Sequence, residues 1–200
     1  MSKGRSLAIC LFSCSLAVTF AGCSGGRAFV RPNASDLILG KTTEQEVRQR
    51  MGDPPRQGTM VKNGETLTTL SYAYALAYPY VDDVKVRAMG FYFLRGVLAG
   101  YEFTSSFKED KTRFDEGKVA QIRRGESKRD DIVVLLGQPT GLYSYPLIKE
   151  RGAVGLVYFF IDSERHPFGA TVKQSRKFLI VSCDNSGIVT DITYDSSEPK

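Results

Sequence analysis

The chain has a single histidine, His166, and that scarcity closes off more chemistry than any other feature of its composition. One imidazole cannot build a multi-histidine metal site, and no cysteine spacing has a zinc pattern, so no metal is expected. No glycine-rich loop lies between a strand and a helix in a βαβ setting, so nucleotide binding has no motif behind it and no cofactor is expected. Cysteine is nearly as sparse. Of the four, Cys10 and Cys14 lie in an apolar N-terminal run, Cys23 follows it and Cys183 stands alone near the far end. Once Cys23 is modified, no intrachain disulfide remains. Charge of one sign is also lacking. There are 27 basic residues against 22 acidic ones, and Lys3 and Arg5 fall within the first 22 positions, so the remainder carries only +3. That excess is too small to argue for nucleic acid, and none is expected as a partner.

What is present begins with Lys3 and Arg5, followed by an uncharged, mostly apolar run over 6–22. A charged start, an apolar stretch and small residues before a cleavage point mark a secretory signal. The run ends in Phe20-Ala21-Gly22-Cys23 and continues into Ser24-Gly25-Gly26, which resembles the bacterial lipobox. Residues 1–22 are therefore expected to be a lipoprotein signal peptide, Cys23 the acylated residue, and 23–33 a tether near the lipid. An uncleaved anchor and a plain secretory signal stay open, because 17 uncharged residues sit at the lower edge of a membrane span. The 178 residues from Cys23 onward can bury about 70% of their unfolded surface, enough for a core without staples.

A displacement of 85 residues aligns Leu37 with Ile122, Gly40 with Gly125, Thr42 with Ser127, Val47 with Ile132, Met51 with Leu136, Gly52 with Gly137 and Pro54 with Pro139. No gap is needed over eighteen positions, which reads as a duplication. Gly40 and Gly125 suit the left-handed end of a short first helix. Thr42 and Ser127 offer hydroxyls as caps for a second helix, with Gln45 completing a possible box. Val47 and Met51, like Ile132 and Leu136, share a helical face, and Gly52 and Gly137 stop the helix ahead of a proline. Extended patterns follow. Asn63-Gly64 separates 57–62 from 65–74, and Arg95-Gly96 separates 85–94 from 97–103. In the second half the strands are expected at 141–145, 153–161, 177–183 and 188–194. The fold class is thus expected to be α+β, two tandem units of helix-loop-helix plus a four-stranded antiparallel sheet. The units span 34–106 and 118–196, with a linker over 107–117 and a tail over 197–200.

The motif Gly-x-[Thr/Ser]-x4-[Val/Ile]-x3-[Met/Leu]-Gly-x-Pro before antiparallel strands resembles the BamE/SmpA/OmlA group of small outer-membrane lipoproteins. Two such units in one chain resemble the tandem arrangement of the β-lactamase inhibitor protein. The resemblance implies two sheets side by side as one surface for a protein partner. Ser24, rather than Asp, after the lipidated cysteine implies sorting to the outer membrane, on its periplasmic face.

No catalytic constellation emerges. Cys183 ends the apolar run 178–181 and reads as a small buried hydrophobe, although a dyad with His166 stays formally open. Phe91 and Phe93 share one strand parity, which places them in the core, while Tyr92 takes the other. The loops after the second strand of each half are the places for specificity. Tyr78, Tyr80, Tyr143 and Tyr145 are the candidate partner-binding residues, because tyrosine offers a large contact area with a polar tip. The expected function is a non-catalytic, lipid-anchored periplasmic protein-binding module, a scaffold or assembly factor at the outer membrane. The alternatives are an inhibitor-like module that caps an enzyme and, less favoured, an enzyme using Cys183.

Overall fold

The computed structural model describes residues 23–77, 84–165 and 172–197. Among the described residues are two eight-residue α-helices, α1 (Glu44–Met51) and α2 (Arg129–Leu136), and nine strands. The strands are β1 (Cys23–Gly26), β2 (Arg56–Lys62), β3 (Glu65–Ala77), β4 (Val84–Leu94), β5 (Val97–Ser105), β6 (Gly141–Tyr143), β7 (Val154–Arg165), β8 (Val172–Cys183) and β9 (Val189–Ser197). All pair antiparallel in one sheet of order β1-β3-β4-β5-β6-β7-β8-β9, with β2 also on β3. The outer edge of β3 is shared end to end: β2 takes Glu65 to Ser71, and β1 takes Tyr74 to Ala77.

This corrects the expected α+β class. In place of two four-stranded sheets under helix pairs there is one nine-stranded sheet, continuous where Gly100 pairs with Tyr143 and Tyr101 with Leu142. The reason lies in backbone groups. β5 would otherwise end the first set of strands with a bare row of donors and acceptors; β6 meets it at Gly100 and Tyr101, and Gly40, Thr42 and Ser144 meet it at Leu98 and Ala99. Gly141 allows the approach, since a Cβ there would stand 2.1 Å from the Tyr101 carbonyl oxygen. The first helix of each expected pair is likewise replaced by a 3₁₀ turn, at Ala34–Asp36 and Glu116–Gln121. Stretches this short return too few hydrogen bonds for the dihedrals they fix as α-helix.

The motif itself makes the same contacts twice. Gly40 N–H donates to the Leu98 carbonyl at 2.9 Å, and Gly125 N–H to that of Val189 at 2.8 Å. Leu98 N–H donates back to Thr42 at 2.8 Å, and Val189 N–H to Ser127 at 2.9 Å. Because these carbonyls serve the strand, each helix starts one residue later than expected. Its cap is Thr43 boxed with Glu46, or Lys128, whose backbone N–H donates to Asp131 at 2.9 Å with no side-chain bond in return, and not Thr42 with Gln45 or Ser127. The Thr42 and Ser127 hydroxyls instead accept from Ile38 N–H and Arg123 N–H, both at 2.9 Å. Gly52 and Gly137 do end the helices, and Tyr72 and Tyr158 donate to their carbonyls at 2.8 and 3.0 Å.

Both helices lie on one face of the sheet. Val47 packs over Leu70, Tyr72, Phe91 and Phe93, while Ile132 and Leu136 pack over Leu156, Tyr158, Leu179 and Val181. Phe91 and Phe93 are fully buried, as their parity predicts. The stretch expected as a tether is a paired strand at Cys23–Gly26, and Phe29 beyond it packs against the first core. Pairing there satisfies an edge of β3 that would otherwise stay open. Within the expected linker, Phe114 is buried in the second core, and the Thr112 hydroxyl donates to the Ser105 carbonyl at 2.6 Å.

Candidate functional site

Strand parity decides what the second face of the sheet offers. Along β4, Met89, Phe91 and Phe93 are buried against the helix side, whereas Val86, Ala88, Gly90 and Tyr92 are half-buried on the other side. The pairing register continues this open face across the strands. Ser71 pairs with Gly90 and Gly90 with Glu102, while Ala73 pairs with Ala88 and Ala88 with Thr104. On β7 and β8 the same side carries Phe159, Ile161, Phe178 and Ile180, all half-buried, with Phe159 and Phe178 edge to face at 5.2 Å.

One end of this face is covered by the chain itself. Residues 144–153 fold over it, placing Leu147 and Ile148 against Leu67, Ala99, Tyr143 and Val157. Tyr145 fastens this cover. Its hydroxyl donates to the Asn63 carbonyl at 3.1 Å, Arg151 lies 3.7 Å over its ring, and Asn63 Nδ2 donates to the Pro146 carbonyl at 2.8 Å. At the other end a groove of about 490 Å³ remains, walled by Ser71, Ala73, Ala75, Val86, Ala88 and Ile161.

Between cover and groove lies a polar cluster. The Glu102 carboxylate accepts from the Tyr92 hydroxyl at 2.9 Å and from the Tyr143 hydroxyl through its second oxygen. Burial pushes the Glu102 carboxyl above the usual carboxylate range, against the pull of the two hydroxyl donors and the Arg176 charge. Burial and the neighbouring carboxylate push both tyrosines upward as well. Thr104 Oγ1, two residues along the same strand, is buried without a hydrogen-bond partner.

The residues singled out in the sequence fall unevenly on this face. Tyr143 is there, but it is only 6% exposed, and its hydroxyl is committed to Glu102. Tyr145 is half-buried and holds the cover. Tyr78, Tyr80 and His166 lie outside the described residues. Cys23 stands in β1 opposite Ala77. Cys183 is 1% exposed, and burial raises its thiol above the ordinary value. Among the described residues no three His, Cys, Asp or Glu side chains gather as a metal group, and no helix is long and apolar enough to cross a membrane. Sequence reading missed Glu102. Its signal was a lone carboxylate inside the apolar run 97–103, at the parity opposite Tyr101 and Phe103.

Comparison with known proteins adds little. No family model matches the chain, and neither does any curated protein, so the resemblance to the BamE/SmpA/OmlA group finds no support there. One solved structure is similar in outline, a "putative beta-lactamase inhibitor protein" from Streptococcus mutans. It is 14% identical with a TM-score of 0.39, over 77% of this chain and 82% of that one.

Proposed function

We propose that the chain is a non-catalytic protein-binding module of the bacterial envelope, held by lipid on Cys23, which grips a folded partner with the open face of its sheet. The observation that carries this reading is the half-buried apolar surface of Phe159, Ile161, Phe178 and Ile180 beside a groove of about 490 Å³. The helix face has its own helices as cover; among the described residues, the open face is covered at the end under 144–153. Partly exposed aromatic anchors around a small polar centre are what binding hot spots are made of. Acylation is supported by Phe20-Ala21-Gly22-Cys23, and the duplicated motif supports an origin from two copies of one unit.

The same surface serves a scaffold at the periplasmic side of the outer membrane or an inhibitor-like cap on an enzyme, and the partner's identity separates the two. A photo-reactive residue at Phe178 in living cells is expected to capture a discrete protein. The same residue at Val134, which is 87% exposed on α2, is expected to capture none. Envelope membrane proteins in the product speak for the scaffold, a stoichiometric soluble hydrolase for the cap. Capture from position 134 and not from 178 overturns the reading. Acylation is checked separately, since a Cys23→Ser chain is expected to take up no labelled palmitate.

A further inference from the structure

We infer that the end of the sheet carrying Cys23 is the membrane-facing surface of the protein, and that the basic cleft beside it receives the phosphates of anionic phospholipid headgroups. This rests on the acylation of Cys23 proposed above. The geometry comes from register. Cys23 pairs with Ala77 and Ala77 with Val84; in the next row Ser24 pairs with Leu76 and Leu76 with Lys85. Adjacent strands run about 4.8 Å apart, so the Lys85 backbone lies roughly 10 Å from that of Ser24. A leash of free chain would let the domain turn in any direction above a bilayer. A paired strand does not, and this corner of the sheet stays at the lipid surface.

A cleft of about 440 Å³ opens at the same end, between the start of β4 and the turn after β5. Lys85, Lys108, Lys111 and Arg113 line it together with the hydroxyl residues Ser105, Ser106 and Thr112. Asp162 is the carboxylate on its wall, and it pairs with Arg113 at 3.2 Å. The neighbouring Asp110 and Glu109 are turned toward Arg87, at 2.7 and 3.9 Å. The cleft is tied to the anchor rows by Ser106, whose N–H donates to the Val86 carbonyl at 2.9 Å while its hydroxyl accepts from Val86 N–H at 2.8 Å. Acyl chains and a basic patch are complementary signals: the first sets proximity, and the second converts it into orientation. Each lysine near an anionic leaflet strengthens contact about fivefold, an effect that salt screens.

The test uses the full chain, expressed in bacteria fed labelled palmitate, purified in detergent and reconstituted into vesicles containing nitroxide-labelled lipid. Fluorophores go on Glu109→Cys, beside the cleft, or on Val61→Cys. Val61 pairs with Thr66, eleven residues up β3 from Ala77 and so roughly 35 Å away. Strong quenching at 109 and little at 61 is expected in phosphatidylglycerol-containing vesicles. Lys108→Gln with Lys111→Gln is expected to shift the docked-to-undocked ratio about 25-fold toward undocked, and vesicles of phosphatidylcholine alone to shift it at least as far. Palmitate uptake with equal quenching at both positions overturns this inference and leaves the acylation reading standing. Quenching at 109 that ignores both lipid charge and the two lysines overturns the headgroup site. No palmitate uptake removes the acylation reading, and this inference with it.

Discussion

The hydroxyl of Tyr143 on β6 donates to the carboxylate of Glu102 on β5, joining side chains 41 positions apart across the seam between the two halves of the chain. Tyr92 donates to the other oxygen at 2.9 Å, so both hydrogen-bonded partners of this part-buried acid are neutral. The charge is the costly state in such a setting, and the proton is held more tightly than in water.

A sign follows for stability against pH. The folded-state pKa of Glu102 is raised above its unfolded value, so between those two values the folded chain binds more protons than the unfolded one. Stability contributed by Glu102 is then greatest below the ordinary carboxylate value and falls as pH rises through the raised one. Glu102→Gln is expected to flatten that part of the profile. Urea midpoints of both proteins from pH 4 to 9 check it, and parallel curves would refute the role given to burial.

Tyr158 donates to the Gly137 carbonyl at 3.0 Å, closing the end of α2 onto the sheet. Tyr158→Phe keeps the packing and loses the bond. About 1 kcal/mol of stability is expected to go with it, read as a lower urea midpoint at unchanged slope. Tyr72→Phe is expected to behave alike through Gly52 at 2.8 Å.

Gly137 has φ 85° and ψ −171°, with nothing within 4 Å of where a Cβ would stand. Gly137→Ala therefore reports backbone strain alone, expected at about 1–3 kcal/mol. Gly141→Ala tests a different force. Its Cβ would meet the Tyr101 oxygen at 2.1 Å and Glu102 Cα at 2.7 Å, so β6 must move off β5. A loss of about 1–3 kcal/mol or more is expected, and amide exchange should quicken at Tyr101 and Tyr143 before it does in β8. Uniform quickening would show that the seam is not the weak point.

Cys183 is buried and its thiol is harder to ionise than usual. Iodoacetamide at neutral pH is expected to leave it unmodified in the folded chain and to modify it in urea. Rapid labelling of the native protein would reopen the nucleophile reading.

Several of these features were legible from short stretches of sequence. Asn63-Gly64 makes the hairpin turn it predicts, with φ of 48° and 80°. Alternation around Phe91, Tyr92 and Phe93 gave their faces correctly. The tyrosine pattern was weaker, because it showed aromatic content without showing which hydroxyl was already taken. Tyr143 turned out to be committed to Glu102, and Tyr145 to Asn63. Neither partner is near in sequence.

Sequence alone settled some of what depends on neighbours within about four residues, namely the glycine stops after Met51 and Leu136, the turns, and the side of the strand on which Phe91, Tyr92 and Phe93 lie, but not the helix caps, which strand contacts moved by one residue. It did not settle how many sheets there are. That was decided by the edge of β5 accepting β6, and the edge of β3 accepting both β2 and β1. Edges are joined by backbone N–H and C=O groups, which almost every residue carries alike, so the joining leaves little mark on the order of side chains. For the same reason, only the folded sheet brings Lys85 to within two strands of the Cys23 strand.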